Sequence, residues 1–441
     1  MRYTLPMIDI DDLRKQPKEY QKAAKNKGID ISVDEFLKLD ELRRELTQFV
    51  EEMRAEKNSV SKKIPTMKEK EKQDAIADMK KLDKTLSGKE EELKTVEEKW
   101  RTLFLQFPNL PLPTVPIGYS EEENVVIRSH GTPREFSFPV RDHIAIGEAL
   151  DIIDIKTAAT VSGSRFAYLK GDAVRLQMAL IQFTFNTLGD EDTLRTVAKK
   201  AGLSVSTKAF LPILPPVIMR QDIMDRMDRL HPADQRYLLP EDNQVFVGSA
   251  EHTLGPYYME HIFEEAELPI RFIGYSTSFR REAGTYGKDM HGILRVHQFD
   301  KLEVESFTTT EAGSDEQQFI VALQEYLLQQ LEIPYRVVQK CTFDIGKPNA
   351  NGVDIDCWIP SQDTYRETHT SDYMTDFQAR RLGTRYKTPD GEKHFVHMND
   401  ATAFAIGRTI IAILENHQQA DGCITVPKIL RPYMGGKDMI R

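Results

Sequence analysis

"FRREAGTYGKDMHGILRVHQFDKLE", residues 279–303, is the stretch on which the rest of the chain turns. Its flanks, "YSTSFRRE" and "ILRVHQFDKLE", have the character of two strands, and the glycine-containing "AGTYGKDMHG" joins them as a hairpin loop. Side chains two residues apart on a strand share a face. The pattern therefore predicts that Arg280 and Glu282 project together, as do Arg295, His297 and Phe299, with Lys301 and Glu303 further along the same face. Guanidinium, carboxylate and ring on one floor suit a nucleotide: the cation for phosphate, the carboxylate for an adenine amino group, the ring for the base face. On these residues alone, a surface hairpin with cross-strand ion pairs is an equal alternative.

Outward from this stretch, short apolar runs such as "ILPPVIM", "RFIGYSTSF" and "DIDCWI" alternate with amphipathic segments such as "DAVRLQMALIQFTFNTL" and "IGRTIIAILENHQ". That mixed order predicts an α+β fold with an antiparallel sheet flanked by helices. Neither a phosphate-binding GxxxxGK[ST] loop nor a Rossmann glycine fingerprint occurs. The 441 residues, 40% of them hydrophobic, suffice for two or three domains. Residues 1–10 lack a basic start followed by an apolar run, and nothing approaches the ~20 apolar residues that span a bilayer, so a cytoplasmic protein without membrane contact is expected. Cys341, Cys357 and Cys423 stand apart, indicating neither a disulfide framework nor a thiolate metal site; they are expected as buried small hydrophobes.

The net charge of −10 is unevenly spread. Residues 1–110 hold 24 basic against 23 acidic residues, and from Arg54 to Lys72 seven basic residues face three acidic ones. Around this basic tip, Phe36, Leu39, Leu42, Leu46, Phe49, Met53, Val60 and Ile64 recur mostly at helical steps, Pro65 interrupts, and a second series runs from Ile76 to Leu103. Two such seams predict an antiparallel coiled-coil arm of helices of roughly 30 residues, on the order of 45 Å long. The bland alternative is a solvated coiled coil whose lysines only keep it soluble or serve a protein contact. Prolines at 108, 111, 113 and 116 then end the periodicity. The expected division is an N-terminal domain over 1–105, a Pro-rich linker over 106–130 and a catalytic domain over 131–441.

"SFRREAG", "GILRVHQFDKLE", "DFQARR", "AIGRTIIAILENHQQADG" and "VPKILRPYMGG" resemble motifs 2 and 3 and neighbouring segments of class II aminoacyl-tRNA synthetases, specifically the seryl-tRNA synthetase family. "MIDIDDLRKQPKEY", "SVSKKI", "NLPLPTVPIG" and "VSGSRFAYLKGD" extend the likeness over nearly the whole chain. The resemblance implies ATP-dependent activation of L-serine to seryl-adenylate, then transfer to tRNA(Ser), with tRNA(Sec) as an open addition. It implies Arg280 on the serine carboxylate and α-phosphate, Glu282 on the adenine amino group, Phe299 on the adenine face and Arg408 on the γ-phosphate, with Arg280 and Arg408 the catalytic cations. Arg295 is a further phosphate contact. Glu367 and Thr370 would hold Mg²⁺, which takes oxygen ligands shared with phosphates and water. Ser249 and Glu251 would sit near the substrate ammonium, and Glu303 and Thr402 would select its hydroxyl. The arm would bind tRNA through Arg54, Lys57, Lys62, Lys63 and Lys68, and "LPPVIM" resembles motif 1, implying a homodimer. His297 is expected to be structural and not a base.

The chain departs from the family pattern with Ser249 for threonine, "HTSDY" after Glu367, Asp400 for asparagine, Lys288 and His291 for arginines, and extra residues around 189–210 that predict a surface helix. These departures leave two alternatives: a paralogue loading seryl groups onto a non-tRNA acceptor, and a catalytically silent RNA binder.

Overall fold

The computed structural model describes residues 8–283 and 292–441, so Lys288 and His291 lie outside the described residues. The chain divides into two compact units between Leu110 and Pro111.

In the first unit, α1 (Val33–Lys63) and α2 (Glu69–Phe104) run against each other as the hairpin. Ser32 caps α1, its hydroxyl accepting the Glu35 amide at 3.3 Å. Pro65 lies in the 3₁₀ turn Ile64–Thr66 between the helices, where its missing N–H costs nothing. At 31 and 36 residues the helices extend about 45 and 55 Å. The base is held by an aromatic cluster in which Phe36 stacks on Phe104 at 5.4 Å. Beside it, buried Asp40 accepts the Trp100 indole N–H at 2.9 Å and pairs with Arg14 at 2.6 Å. Further out Leu46, Val50, Met53, Leu86 and Val96 are buried, while Leu42, Phe49 and Ile76, expected in the seam, are 39–41% exposed. Two helices share a single line of contact, which leaves part of each apolar column open to solvent.

The second unit is built on an eight-stranded sheet, here numbered β1 (Val125–His130), β2 (Leu211–Ile213), β3 (Ile270–Phe279), β4 (Gln298–Thr308), β5 (Tyr335–Gln339), β6 (Asn351–Ile359), β7 (Thr364–Thr375) and β8 (His397–Ala405). The order is β1-β5-β6-β7-β8-β4-β3-β2, antiparallel throughout except for β2 beside β3. Helices α3 (Gly171–Leu188), α4 (Glu191–Lys200), α5 (Gly313–Gln330) and α6 (Ile406–Asn416) supply a core with one face of the sheet, where Leu302 and Val304 of β4 meet Ala401 and Ala403 of β8. By strand alternation, Glu303 and Glu305 and their neighbours Asp400 and Thr402 turn to the opposite face. The extra residues near 189–210 do form a helix, α4, but Leu194 and Val197 anchor it in the core, so it is surface on one side only.

The stretch 106–130, expected as a linker, contains the boundary between the two units. From Pro111 the chain belongs to the second unit, β1 pairs with β5, and the Leu112 amide donates to Ala350 at 2.8 Å. Proline lacks a donor but leaves its neighbours free to tie the segment down. Cys341 and Cys357 are buried, whereas Cys423 is half-buried, and all three are free thiols. No described helix is long and apolar enough to cross a membrane.

Candidate active site

Strand β3 stops at Phe279 and β4 starts at Gln298, so Arg280, Glu282 and Arg295 stand in the connection and not on the strands, which corrects the expected alternation. The Arg280 amide still bonds to the His297 carbonyl at 3.0 Å, but the Arg281 amide turns to the Gln235 carbonyl and Glu282 takes a φ of +48°. Individual tethers replace the strand face. The Arg280 Nε–H donates to the Gly248 carbonyl at 3.0 Å, and its guanidinium lies over the Phe299 ring at 5.3 Å. Arg295 donates to Glu282 Oε2 at 3.2 Å. The His297 Nδ1 lies 3.0 Å from the Arg280 carbonyl, and its ring packs near Phe166 and Tyr237, so its contacts are structural.

Arg280, Glu282, Arg295, Phe299, Glu367, Thr370, Thr402 and Arg408 all line one cavity of about 140 Å³. Arg408, in the first turn of α6, donates to the Glu367 carbonyl at 2.7 Å and lies 3.3 Å from its carboxylate. Desolvation alone would push Glu367 up, but Arg408 and then Lys340 outweigh it and hold the carboxyl below its ordinary range. Thr370 follows Glu367 on β7, bringing a hydroxyl to the same wall. Among the described residues no cluster of three or more His, Cys, Asp or Glu forms a metal cage. A carboxylate and a hydroxyl beside a cationic cavity instead fit Mg²⁺, whose shell is completed by phosphate and water oxygens.

Next to this cavity, charge is buried. Lys301 Nζ lies 2.9 Å from Glu303 and 3.3 Å from Ser249 Oγ, and the Thr402 hydroxyl is 3.5 Å from Glu303 Oε1. Burial pushes Glu303 up to about 7, with Lys301 opposing. A Cβ at Gly248 would stand 2.6 Å from Arg236 Nη1 and 3.5 Å from Arg280 Nε, so a side chain there would displace the Arg236 guanidinium. Glu251 Oε1 lies 3.2 Å from Arg229 Nε and 3.5 Å from His252 Nε2, and Arg229 donates to Asp400 Oδ2 at 2.8 Å. The Gly248 amide donates to His252 Nδ1, and burial lowers that imidazole to about 4, so it is neutral with its proton toward Glu251. Glu251, despite its desolvation, is held well below the carboxylate range by Arg229. Asp372 lies in the departing "HTSDY" run, but Arg229 and the neighbouring acid Glu305 had no signal in the sequence: Arg229 is 171 positions from Asp400 and sits in an irregular loop.

In the arm, Arg54 pairs with Glu90 and Lys57 with Asp83, each at 2.6 Å, so these exposed pairs bridge the two helices. Lys62, Lys63 and Lys68 are exposed at the turn.

Comparison with known proteins matches residues 240–417 to the tRNA synthetase class II core domain (G, H, P, S and T) and residues 7–111 to the seryl-tRNA synthetase N-terminal domain. The serine–tRNA ligase of Trichlorobacter lovleyi is 38% identical, covering 98% of this chain and 100% of that one. That of Thermodesulfovibrio yellowstonii is likewise 38% identical, covering 99% and 100%. The chain belongs to the seryl-tRNA synthetase family. Among solved structures, the seryl-tRNA synthetase of Pyrococcus horikoshii complexed with ATP superposes with a TM-score of 0.86 at 31% identity, covering 98% of this chain and 99% of that one. The cytoplasmic serine–tRNA ligase of Naegleria fowleri in complex with AMP gives a TM-score of 0.80 at 28% identity, covering 96% and 95%. Against that family pattern, Asp400 acquires a guanidinium partner in this seryl-tRNA synthetase, and Ser249 keeps a hydroxyl within reach of Lys301.

Proposed function

We propose that this seryl-tRNA synthetase works as a serine–tRNA ligase, activating L-serine with ATP and esterifying tRNA(Ser) through the cleft and arm just described. The observation that carries the reading is the convergence of Arg280, Glu282, Phe299, Glu367 and Arg408 on one cavity beside the buried acids. In the first step the serine carboxylate attacks the α-phosphorus in line and pyrophosphate leaves. Arg280 neutralises the charge that develops there, and Arg408 takes the γ-phosphate, so fixed cations favour the transition state over the ground state. Phe299 and Glu282 hold the adenine, with Arg295 as a further phosphate contact. Mg²⁺, held through Glu367 and Thr370, would supply charge neutralisation on the phosphates. In the second step the terminal adenosine hydroxyl of tRNA attacks the seryl carbonyl, and AMP leaves. No protein nucleophile is required; orientation and preset charge supply the rate.

On the amino-acid side, Glu251 and Ser249 would face the ammonium, and Glu303 with Thr402 the hydroxyl. A substrate without that hydroxyl would leave buried polar groups unpaired. The N-terminal domain (1–105) would grip tRNA(Ser) by phosphates and shape, with tRNA(Sec) an open addition; Lys62, Lys63 and Lys68 are the better candidates because Arg54 and Lys57 are engaged in the hairpin. A cytoplasmic homodimer is proposed with it, supported by Leu211 and Leu214, 59% and 74% exposed at and beyond edge strand β2. The test is pyrophosphate exchange with each amino acid in turn: serine alone should support it, and exchange with another amino acid but not serine would refute the reading.

A further inference from the structure

We infer that Arg229 and Asp400 are a positioning pair for Glu251, arranged so that one guanidinium shared between two carboxylates in a largely buried pocket leaves a carboxylate charge to offset the substrate ammonium. This rests on the proposal above that Glu251 receives the ammonium. The geometry is direct: one guanidinium spans both acids, its Nε 3.2 Å from Glu251 and its Nη2 2.8 Å from Asp400. Asp400 is 2% exposed, Glu251 12% and Arg229 18%, so none is freely screened by water.

Arg229 poses a problem that Asp400 resolves. A guanidinium this close to Glu251 cancels the charge on which an ammonium would depend, and buried cations repel one another strongly in a poorly screened site. With Asp400 present, two carboxylates face two cations once the amino acid is bound. Other charged groups turn to this point too: the buried Arg236 guanidinium, which Glu251 attracts and Arg229 repels, is common to the empty and the occupied pocket. Lys301 and Glu303 pair with each other, and His252 is neutral. Glu305, opposite Asp400 across β4 and β8, is fully buried with neither carboxylate oxygen hydrogen-bonded, which burial answers by keeping it protonated. Asp372 also stands opposite Asp400, across β7 and β8. In the empty pocket burial and then Glu251 push the Asp400 carboxyl up, and the incoming ammonium favours its ionised form, so binding is expected to release a proton from Asp400 to solvent.

The test is serine-dependent pyrophosphate exchange with the full chain. Asp400→Asn should raise KM for serine roughly tenfold or more, because two cations then face one carboxylate, while KM for ATP stays within about twofold. Adding Arg229→Gln to Asp400→Asn should restore most of the loss, since one cation again faces one carboxylate; a purely structural pair would give no rescue. An Asp400→Asn variant with unchanged KM for serine, or a double variant no better than the single one, would overturn the inference. If the variants do not fold, calorimetry of serine binding to the unaltered chain in buffers of different ionisation enthalpy decides: proton release is expected, and its absence overturns the pair's role. A wild-type chain that neither binds serine nor supports exchange brings down the underlying reading as well, whereas an active wild type with indifferent variants brings down this inference alone.

Discussion

At the phosphate end of the cleft, Arg295 and Arg408 keep 37% and 26% of their side chains in solvent and lean on Glu282 and Glu367. At the amino-acid end, Glu251, Glu303 and Asp400 are packed around Arg229 and Lys301 with little access to water. The difference is one of who supplies the counter-charge. Partly hydrated arginines can exchange a protein carboxylate for a phosphate at small cost, whereas a buried acidic pocket must be completed by the ligand or by protons. The nucleotide end is thus adaptable and the amino-acid end selective.

The comparison breaks most readily at Arg280, which joins the two ends through Gly248 and Phe299. Arg280→Ala is expected to lower serine-dependent pyrophosphate exchange by roughly 10²–10³-fold, as loss of a transition-state charge partner does; an unchanged rate would contradict its role. Replacing Lys62, Lys63 and Lys68 together with alanine should leave exchange intact but raise KM for tRNA about tenfold or more, and make the log–log salt dependence of tRNA binding shallower by about 2 to 3. Equal effects on exchange and charging would show instead that the arm matters for stability.

Smaller effects sharpen the contrast. Phe299→Ala should raise KM for ATP by about fivefold to tenfold with KM for serine nearly constant, because only the adenine face is lost. Steady-state kinetics with each substrate varied separates the two. The smallest effect concerns Glu303, whose folded-state pKa of about 7 lies above the ordinary 4.5. A raised acid binds more protons folded than unfolded, so its contribution to stability is largest below pH 4.5 and falls until about pH 7. Chemical denaturation at pH 5 and pH 8 should show Glu303→Gln losing part of the wild-type decline over that window; an identical pH dependence would contradict the assignment.

What could be read from the sequence followed the range of the interactions involved. The hairpin is written in helical periodicity and one proline, so its helices and turn were legible, but the pairing of Arg54 with Glu90 was not, since charge alone does not distinguish a rung from a binding residue. The nucleotide residues were legible as a set because most lie close together between 280 and 299. Their geometry was misjudged because strand alternation ends at Phe279, where the Arg281 amide leaves the sheet for Gln235. The partner of Asp400 was invisible: Arg229 comes from a loop with no periodic signal and meets it only through the fold.

The most direct measurement is ATP- and Mg²⁺-dependent transfer of labelled serine to total tRNA, comparing the full chain with one lacking residues 55–75. The account predicts charging by the full chain and a collapse of charging, with serine-dependent pyrophosphate exchange retained, when the tip is removed. Pyrophosphate exchange without any transfer to tRNA by the full chain, or undiminished charging without the tip, would contradict it.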